Sequence, residues 1–298
     1  MFGVLEFSIK MVSNGIQPII GIQVNISGST DFENSIGEVV LIAKNETGYK
    51  NLLVLTSEMA TNSKFEKFIT FENLKIYKDG IILLTGGIEN GFIGKPASLG
   101  NIKLVNERLR VLKVLFDNNL YIELQRHGIR SQFNAEKILL DSSVKFNLPL
   151  VATNDCFFEN VNKFNAHQVL TCIDKGLTMS SNNRRLLTRE HYIKDTKKMI
   201  SLFEDIPEAI ENTIVIAQRC SFFVKTHKPM LPKFPGLKNI SENEHLLDIS
   251  KKGLTKRFQF SIKKFTEHEK ESYQNRLIKE LNIINEMGFS GYFLIVYD

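Results

Sequence analysis

The sequence lacks tryptophan and contains only three cysteines, Cys156, Cys172 and Cys220, among its 298 residues. The cysteines lie far apart and form no Cys-x-x-Cys pair, which excludes a zinc knuckle, and their odd number argues against a disulfide framework. No apolar run reaches the ~18 residues of a membrane-spanning helix, and the N-terminus has no basic, cleavable leader. These absences predict a cytoplasmic protein without membrane association.

The sequence also has little excess of charge: 38 Lys+Arg stand against 33 Asp+Glu, which gives +5 at pH 7. This mildly basic balance is compatible with nucleic-acid binding but does not indicate it. No Walker A, Gly-x-Gly-x-x-Gly or Gly-x-Ser-x-Gly motif occurs. With 43% hydrophobic and 24% charged residues, the composition is that of a globular protein and excludes wholesale disorder.

Short apolar runs alternate with amphipathic stretches through the first two-thirds of the chain. Five runs predict strands: Pro18–Ile26, Gly37–Asn45, Gly80–Gly87, Asn119–Gly128 and Leu148–Asp155. Three stretches between them predict helices: Thr47–Thr61, Asn101–Phe116 and Phe133–Asn147. This rhythm indicates an α/β fold with mainly parallel strands, as a barrel or a doubly wound sheet. Functional groups of such folds collect at the C-terminal ends of the strands.

Those ends offer Gln23, the segment Glu123–His127 and the pair Asn154–Asp155. From Asn165 onward the pattern is helical, and Pro207 is typical of a helix start with Asp205 as its cap. A proline-rich segment, Lys225–Gly236, predicts a linker, and two further helices follow it. Residues 241–298 carry no net charge, so this part is not a basic nucleic-acid arm.

Six segments in chain order carry a family resemblance. They are GVLEFSIKMVSNGIQPIIGIQVNI, AKNETGYKNLLVLTS, LPLVATND, LFEDIPEAIENTIVIAQRC, LPKFP and LIKELNIINEMGFSGYFLIVYD. Together they resemble the alpha subunit family of bacterial DNA polymerase III, the C-family replicative polymerases, nearly from end to end. The last segment is the most specific, because it is similar to the stretch that opens the palm domain of the family.

The resemblance implies an incomplete PHP-type (β/α) barrel, named for polymerase and histidinol phosphatase, followed by an α-helical segment that opens the polymerase palm. It divides the chain into a truncated PHP domain over 1–224, a Pro-rich linker over 225–240 and the start of the palm over 241–298. Members of the family begin with a His-x-His strand and carry palm aspartates, and this sequence has neither. We therefore expect a piece of a longer subunit, an expectation that the apolar run Tyr292–Tyr297 supports.

The resemblance also identifies candidate metal ligands. Active PHP sites hold metal ions that activate water for phosphoester hydrolysis. Here Glu38, His127 and Asp155 stand at relic ligand positions, Glu123 is kept, and the family's glutamate and a further histidine are replaced by Gln23 and Phe157. So few ligands predict that residual PHP Zn²⁺ or Mn²⁺ binding is lost, while the parent polymerase would use Mg²⁺.

Structural roles compete with each of these candidates. Glu38 also fits a solvated strand edge, and His127 and Asp155 fit purely structural positions. His167 suits a cap or a surface position better than a ligand. Cys172 and Cys220 fit core thiols, whereas Cys156 is the one thiol next to the candidate site. The basic stretch from Arg184–Arg185 to Lys198 could contact phosphates, although a solvated face is the favoured interpretation.

Three functions are therefore open. In the first, the chain is part of a replicative polymerase subunit, and the parent subunit performs template-directed DNA synthesis. The chain by itself would be catalytically inactive and would have an architectural role. Its partners would be DNA, the proofreading exonuclease subunit and other replicase subunits. The second is a free-standing metal-dependent PHP phosphoesterase or 3′–5′ exonuclease, which the missing ligands disfavour. The third is an inert binding module. A dose-dependent metal requirement would favour the second function.

Overall fold

The protein was analysed as a computed structural model that describes residues 1–27, 36–62, 68–181, 187–226, 232–235, 237 and 240–298. These residues form two compact units, Met1–Lys225 and Thr226–Asp298. The expected assignment of domains to 1–224, 225–240 and 241–298 stays a prediction. None of the helices in the described ranges is long and apolar enough to cross a membrane.

The first unit contains five strands and nine helices within its described residues. In chain order they are α1 (Val4–Ser13), β1 (Gly21–Ser27), β2 (Ile36–Ala43), α2 (Glu46–Asn62), α3 (Phe71–Ile76), β3 (Ile81–Leu84), α4 (Gly94–Ser98), α5 (Ile102–Phe116), β4 (Leu120–Gln125), α6 (Arg130–Phe146), β5 (Leu150–Thr153), α7 (Phe164–Asp174), α8 (Thr196–Leu202) and α9 (Pro207–Arg219). All five predicted strands are present, with shorter or shifted bounds.

The five strands form one sheet in the order β1-β2-β3-β4-β5. β2 runs antiparallel to both β1 and β3, whereas β3, β4 and β5 run parallel to one another. The expectation of mainly parallel strands is therefore wrong for half of the pairings. The short connection from β1 to β2 explains the first reversal, because a parallel pair needs a crossover of about a dozen residues or more. Closure of the sheet into a barrel stays a prediction.

Both faces of the central strands are covered, which explains their continuous apolar sequences. On one face, Ile81 and Leu83 of β3 belong to the large core with Leu52 of α2 and Leu109 of α5. On the other face, Ile82 and Leu84 join Ile216 of α9 and the buried thiol of Cys220. Cys172 of α7 is buried as well, so both cysteines lie in the interior as expected.

The segment before α9 differs from its prediction. Ile206 precedes the helix without a side-chain cap, although Pro207 does begin it. Asp205 instead accepts hydrogen bonds of 2.5 and 2.8 Å from the Arg126 guanidinium, which also binds Glu136 of α6 and the backbone carbonyl of Leu202. Arg126 holds the pKa of the Asp205 carboxyl below its usual range. The aspartate thus joins the end of β4 to the start of α9 rather than capping the helix.

The second unit contains three helices among its described residues, one more than expected. They are α10 (Glu242–Phe260), α11 (Glu267–Glu286) and α12 (Ser290–Tyr297). Ser241 with Glu244 and Thr266 with Glu269 form capping boxes at the starts of α10 and α11. A small core of Leu246, Leu281 and Leu294 joins the three helices. Apart from Leu294, the apolar side chains of Tyr292–Tyr297 are exposed.

Removing a core side chain from α5 should destabilise the first unit. Leu109 has no exposed surface, and Leu109→Ala should lower its unfolding free energy by about 2–5 kcal/mol through lost apolar burial and the remaining cavity. Val114→Ala on the same helix is the matched control, because Val114 is 83% exposed and should cost less than about 1 kcal/mol. Urea denaturation measures both variants, and equal losses would contradict this packing.

Candidate functional site

A polar pocket lies at one edge of the sheet, where the parallel strands end. It is lined by Gln23, Glu38, Gly87, Ile88, Glu89, Asn90, Gln125, His127, Ile129, Gln132, Asp155 and His191. The antiparallel β2 brings its beginning, with Glu38, to the edge where β4 and β5 finish. The pocket therefore contains all three candidate ligands, Glu38, His127 and Asp155, although its interior has room for only roughly one or two water molecules.

The loop after β3 forms one wall of this pocket and is held against β2. Glu38 N–H donates to the carbonyl of Asn90 at 2.7 Å, and Phe92 N–H donates to the carbonyl of Glu38 at 2.8 Å. A Cβ atom on Gly37 would lie 2.5 Å from Phe92 Cα, so only glycine permits this approach. Buried Arg108 of α5 donates to the Phe92 carbonyl and stacks 4.2 Å above its ring centroid.

Glu123 of β4 lies behind the pocket and is occupied by internal hydrogen bonds. Its carboxylate accepts from Gly86 N–H at 3.0 Å, Gln125 Nε2 at 3.0 Å and Thr153 Oγ1 at 2.5 Å. Burial raises the pKa of Glu123 in spite of these three donors. The carboxyl therefore fastens β4 to β5 and to the loop after β3, which is a structural task.

His127 is held on one side by Gln132 of α6. The backbone N–H of His127 donates to Gln132 Oε1 at 2.7 Å. Because a backbone N–H can only donate, the other terminal atom of this side chain is the amide nitrogen, which lies 3.1 Å from His127 Nδ1. An amide NH₂ also only donates, so His127 Nδ1 accepts this hydrogen bond with its lone pair.

On its other side His127 meets the amide of Asn154, which follows β5. Asn154 Nδ2 donates to the Tyr192 carbonyl at 2.8 Å, and the Lys194 ammonium donates to Asn154 Oδ1 at 3.2 Å. These two partners fix the orientation of the amide. Its oxygen lies 3.1 Å from His127 Nε2, and since an amide oxygen only accepts, Nε2 carries the ring proton.

His127 is thus a neutral imidazole with its proton on Nε2. Burial, with a smaller contribution from the nearby His191 and Lys194, lowers the pKa of His127 to about 4, against the opposing hydrogen bond with Asn154. The His191 ring stacks on it with centroids 4.0 Å apart and planes at 10°. Thr188 connects the segments that carry the two histidines. Its backbone N–H donates to His191 Nδ1, and its hydroxyl donates to the His127 carbonyl.

This arrangement does not fit a bound metal ion. A histidine binds a metal through a ring lone pair, and the one lone pair of His127 is taken by Gln132. Gln23, where active family members have a glutamate, is neutral and a poor ligand. Within the described ranges, no three residues among histidine, cysteine, aspartate and glutamate are grouped so that they could hold a metal.

The other candidate residues occupy varied surroundings. His167 of α7 lies between the rings of Phe157 and Phe158, with centroids 5.8 and 5.6 Å away. Cys156 is exposed, and partial burial still raises the pKa of its thiol, which does not favour a reactive thiolate. Arg184 and Arg185 lie outside the described residues. Lys194, expected on a solvated face, has a side chain with 0% exposure.

Three residues of the site were missed by sequence reasoning: Gln132, His191 and Lys194. Gln132 lies in the first turn of α6, just before the predicted helix Phe133–Asn147, and reads like any surface glutamine. His191 and Lys194 come from the segment between α7 and α8, although the sequence pattern was taken as helical from Asn165 onward. Both residues reach the site only through the fold. The one sequence signal for these two residues was that a histidine and a lysine occur three positions apart, at His191 and Lys194.

Comparisons with known proteins agree over the whole chain. Residues 1–127 match the family model "PHP domain", and residues 244–298 match "Bacterial DNA polymerase III alpha NTPase domain". DNA polymerase III subunit alpha of Rickettsia bellii is 40% identical over 306 residues, covering 100% of this chain and 26% of that protein. The corresponding subunits of Caulobacter vibrioides and Haemophilus influenzae are 36% and 34% identical over 304 and 300 residues. The chain spans about a quarter of the length of these curated relatives.

The low pKa of His127 predicts a pH dependence of stability. Between the usual histidine pKa of 6.5 and about 4, the unfolded chain binds a proton that the folded chain excludes. The contribution of His127 to stability should therefore fall as the pH is lowered through this window, by about 3 kcal/mol at most, and that contribution should level off below it. Urea denaturation of the wild type and His127→Gln from pH 7 to pH 4 measures the difference, which the variant should lack.

His268→Gln is the matched control, because His268 is an exposed histidine of α11. It should keep the wild-type slope. A His127→Gln variant with the same slope as the wild type would contradict the assignment of a buried neutral imidazole.

Proposed function

The chain is, over its whole length, a relative of the bacterial DNA polymerase III alpha subunits, and we propose that it contributes a PHP module and the opening of the polymerase palm to template-directed DNA synthesis. The observation that carries this proposal is that a single alignment with each of those subunits covers 100% of the chain. Two separate domains combined by chance would not align in the same order over a single region.

We further propose that the PHP module has an architectural role. Its pocket is filled by hydrogen bonds between its own side chains, and the carboxylate of Glu123 and the ring of His127 both serve the fold. Such a pocket supports a rigid platform for neighbouring parts of the replicase. The partners would be DNA, the proofreading exonuclease subunit and other replicase subunits, with Mg²⁺ used by the parent polymerase.

A metal-dependent PHP phosphoesterase or 3′–5′ exonuclease is the second candidate. The observation in its favour is that Glu38, His127 and Asp155 line one pocket at the strand ends. Against it stand the occupied lone pair of His127 and the neutral Gln23. Hydrolysis would need a metal-activated water, and the side chains here are arranged to bind one another.

The architectural proposal predicts no hydrolysis by the purified chain. With Mg²⁺, Mn²⁺ or Zn²⁺, it should release no nucleotides from the 3′ end of a labelled oligonucleotide above the level of an Asp155→Ala preparation. The two preparations share any contaminating nuclease, so only a difference between them is informative. Metal-dependent release by the wild type that Asp155→Ala abolishes would favour the phosphoesterase.

The replicative role is tested in an extract of the cells that make the protein. Depletion with an antibody against the mostly exposed segment Lys263–Gln274 should reduce DNA synthesis on a long primed template, because the proposal places this segment in the replicative polymerase. Addition of the free peptide should block the depletion and serves as the control. Complete removal of the antigen with unchanged synthesis would refute the proposed role.

A further inference from the structure

Lys194 is a lysine whose side chain has no contact with solvent. Its side-chain exposure is 0%, whereas its neighbours Lys197 and Lys198 are exposed. Withdrawing an ammonium group from water is costly unless partners replace the lost hydration. Burial accordingly lowers the pKa of Lys194, while the Glu190 carboxylate opposes that change. A charge kept in such a position needs a specific explanation.

The partners of the ammonium come from two parts of the chain. It donates to Asn154 Oδ1 at 3.2 Å, beyond β5, and to the backbone carbonyl of Glu190. Glu190 Oε2 lies 3.7 Å away, and the centroid of the Tyr192 ring lies 4.8 Å away. The amide, carbonyl, carboxylate and ring are all electron-rich, so together they replace the water that a buried cation loses.

The hydrogen bond to Asn154 connects Lys194 to His127. An ammonium can donate and cannot accept, so it admits only the oxygen of the Asn154 amide. The same oxygen receives the Nε2 proton of His127 at 3.1 Å. Lys194 therefore acts together with the Tyr192 carbonyl, which accepts from Asn154 Nδ2, to set which way the amide faces. Through the amide they favour the ring tautomer of His127 that is protonated on Nε2. The Nδ1 lone pair is left for Gln132.

We propose that the Lys194 ammonium is an internal cation that orders this pocket in place of a bound metal ion. It supplies the positive charge from the chain itself and fixes Asn154, which in turn fixes the tautomer of His127. Lys194 is thus a positioning residue, because it acts on His127 through Asn154. The inference rests on the proposal that the pocket holds no metal, and the two are tested by different measurements.

The inference is tested on the full chain with three variants. Lys194→Gln can donate to Asn154 or accept from it, so it no longer selects the amide oxygen, and it carries no charge. Lys194→Arg keeps a positively charged group, the guanidinium, which can donate hydrogen bonds and cannot accept them. Lys197→Met, which removes an exposed lysine from α8, is the control. The ¹⁵N chemical shifts of the His127 ring, measured at pH 7 without metal, report which nitrogen is protonated.

The wild type, Lys194→Arg and Lys197→Met should each show a single tautomer protonated on Nε2. Lys194→Gln should show a mixture of tautomers or the opposite one. A merely structural lysine would change stability without changing this spectrum. A folded Lys194→Gln chain with the wild-type tautomer would overturn the proposal, as would loss of that tautomer in Lys197→Met.

A second measurement covers the case in which Lys194→Gln does not fold. Lys194→Met keeps the length of the stem without the charge, and its melting temperature should fall by roughly 5 °C or more, whereas Lys197→Met should not change it. An unchanged melting temperature for Lys194→Met would overturn the proposal. Broadening of wild-type His127 signals by Mn²⁺ would instead contradict the metal-free function, so the two failures are distinguishable.

Discussion

The hydrogen bond between His127 Nε2 and the amide oxygen of Asn154 is the interaction on which the pocket depends. It joins the end of β4 to the end of β5, and its direction is set by partners that can only donate or only accept. On one side stands Lys194 and on the other Gln132. The chain of hydrogen bonds therefore has one orientation, and that orientation leaves His127 neutral with no lone pair for a metal.

Much of the fold follows from the sequence because its signals are local. The apolar runs of β3 and β4 and the helical spacing of α5 predict these elements whatever surrounds them. The antiparallel pairing of β2 with β3 could not be predicted in the same way, because two helices separate these strands in sequence and their relative direction depends on non-local pairing. The role of Asp205 could not be predicted for a similar reason. The sequence indicated a helix cap, which is a local interaction, but Asp205 binds Arg126, which is distant along the chain.

The candidate site was only partly predictable for the same reason. The resemblance to the polymerase family identified Glu38, His127 and Asp155, and the fold does bring them to one pocket. The sequence did not reveal which residues hydrogen-bond to these side chains or to the residues next to them. Gln132 and Lys194 become part of the site because α6 and the segment before α8 close over the strand ends. Their roles follow from whether each group can donate or accept a hydrogen bond at the position that the fold gives it. The spacing of residues along the chain does not predict those positions.

The pocket is held together by hydrogen bonds among the side chains that surround it. In a metal-binding site, metal cations would hold the carboxylates and imidazoles together. Loss of those cations would leave the negatively charged carboxylates facing one another. Here a lysine and two amides perform that structural task, and Gln23 removes one negative charge. This accounts for a pocket whose side chains are held in order at the ends of the strands by partners from the chain itself.

The most direct test of the account is a crystal of the chain grown with Mn²⁺ and measured at a wavelength where manganese scatters anomalously. The account predicts no anomalous peak in the pocket, with Gln132 Nε2 still within hydrogen-bond distance of His127 Nδ1. A manganese peak at roughly 2.2 Å from a ring nitrogen of His127, with Gln132 or Asn154 turned away, would contradict it.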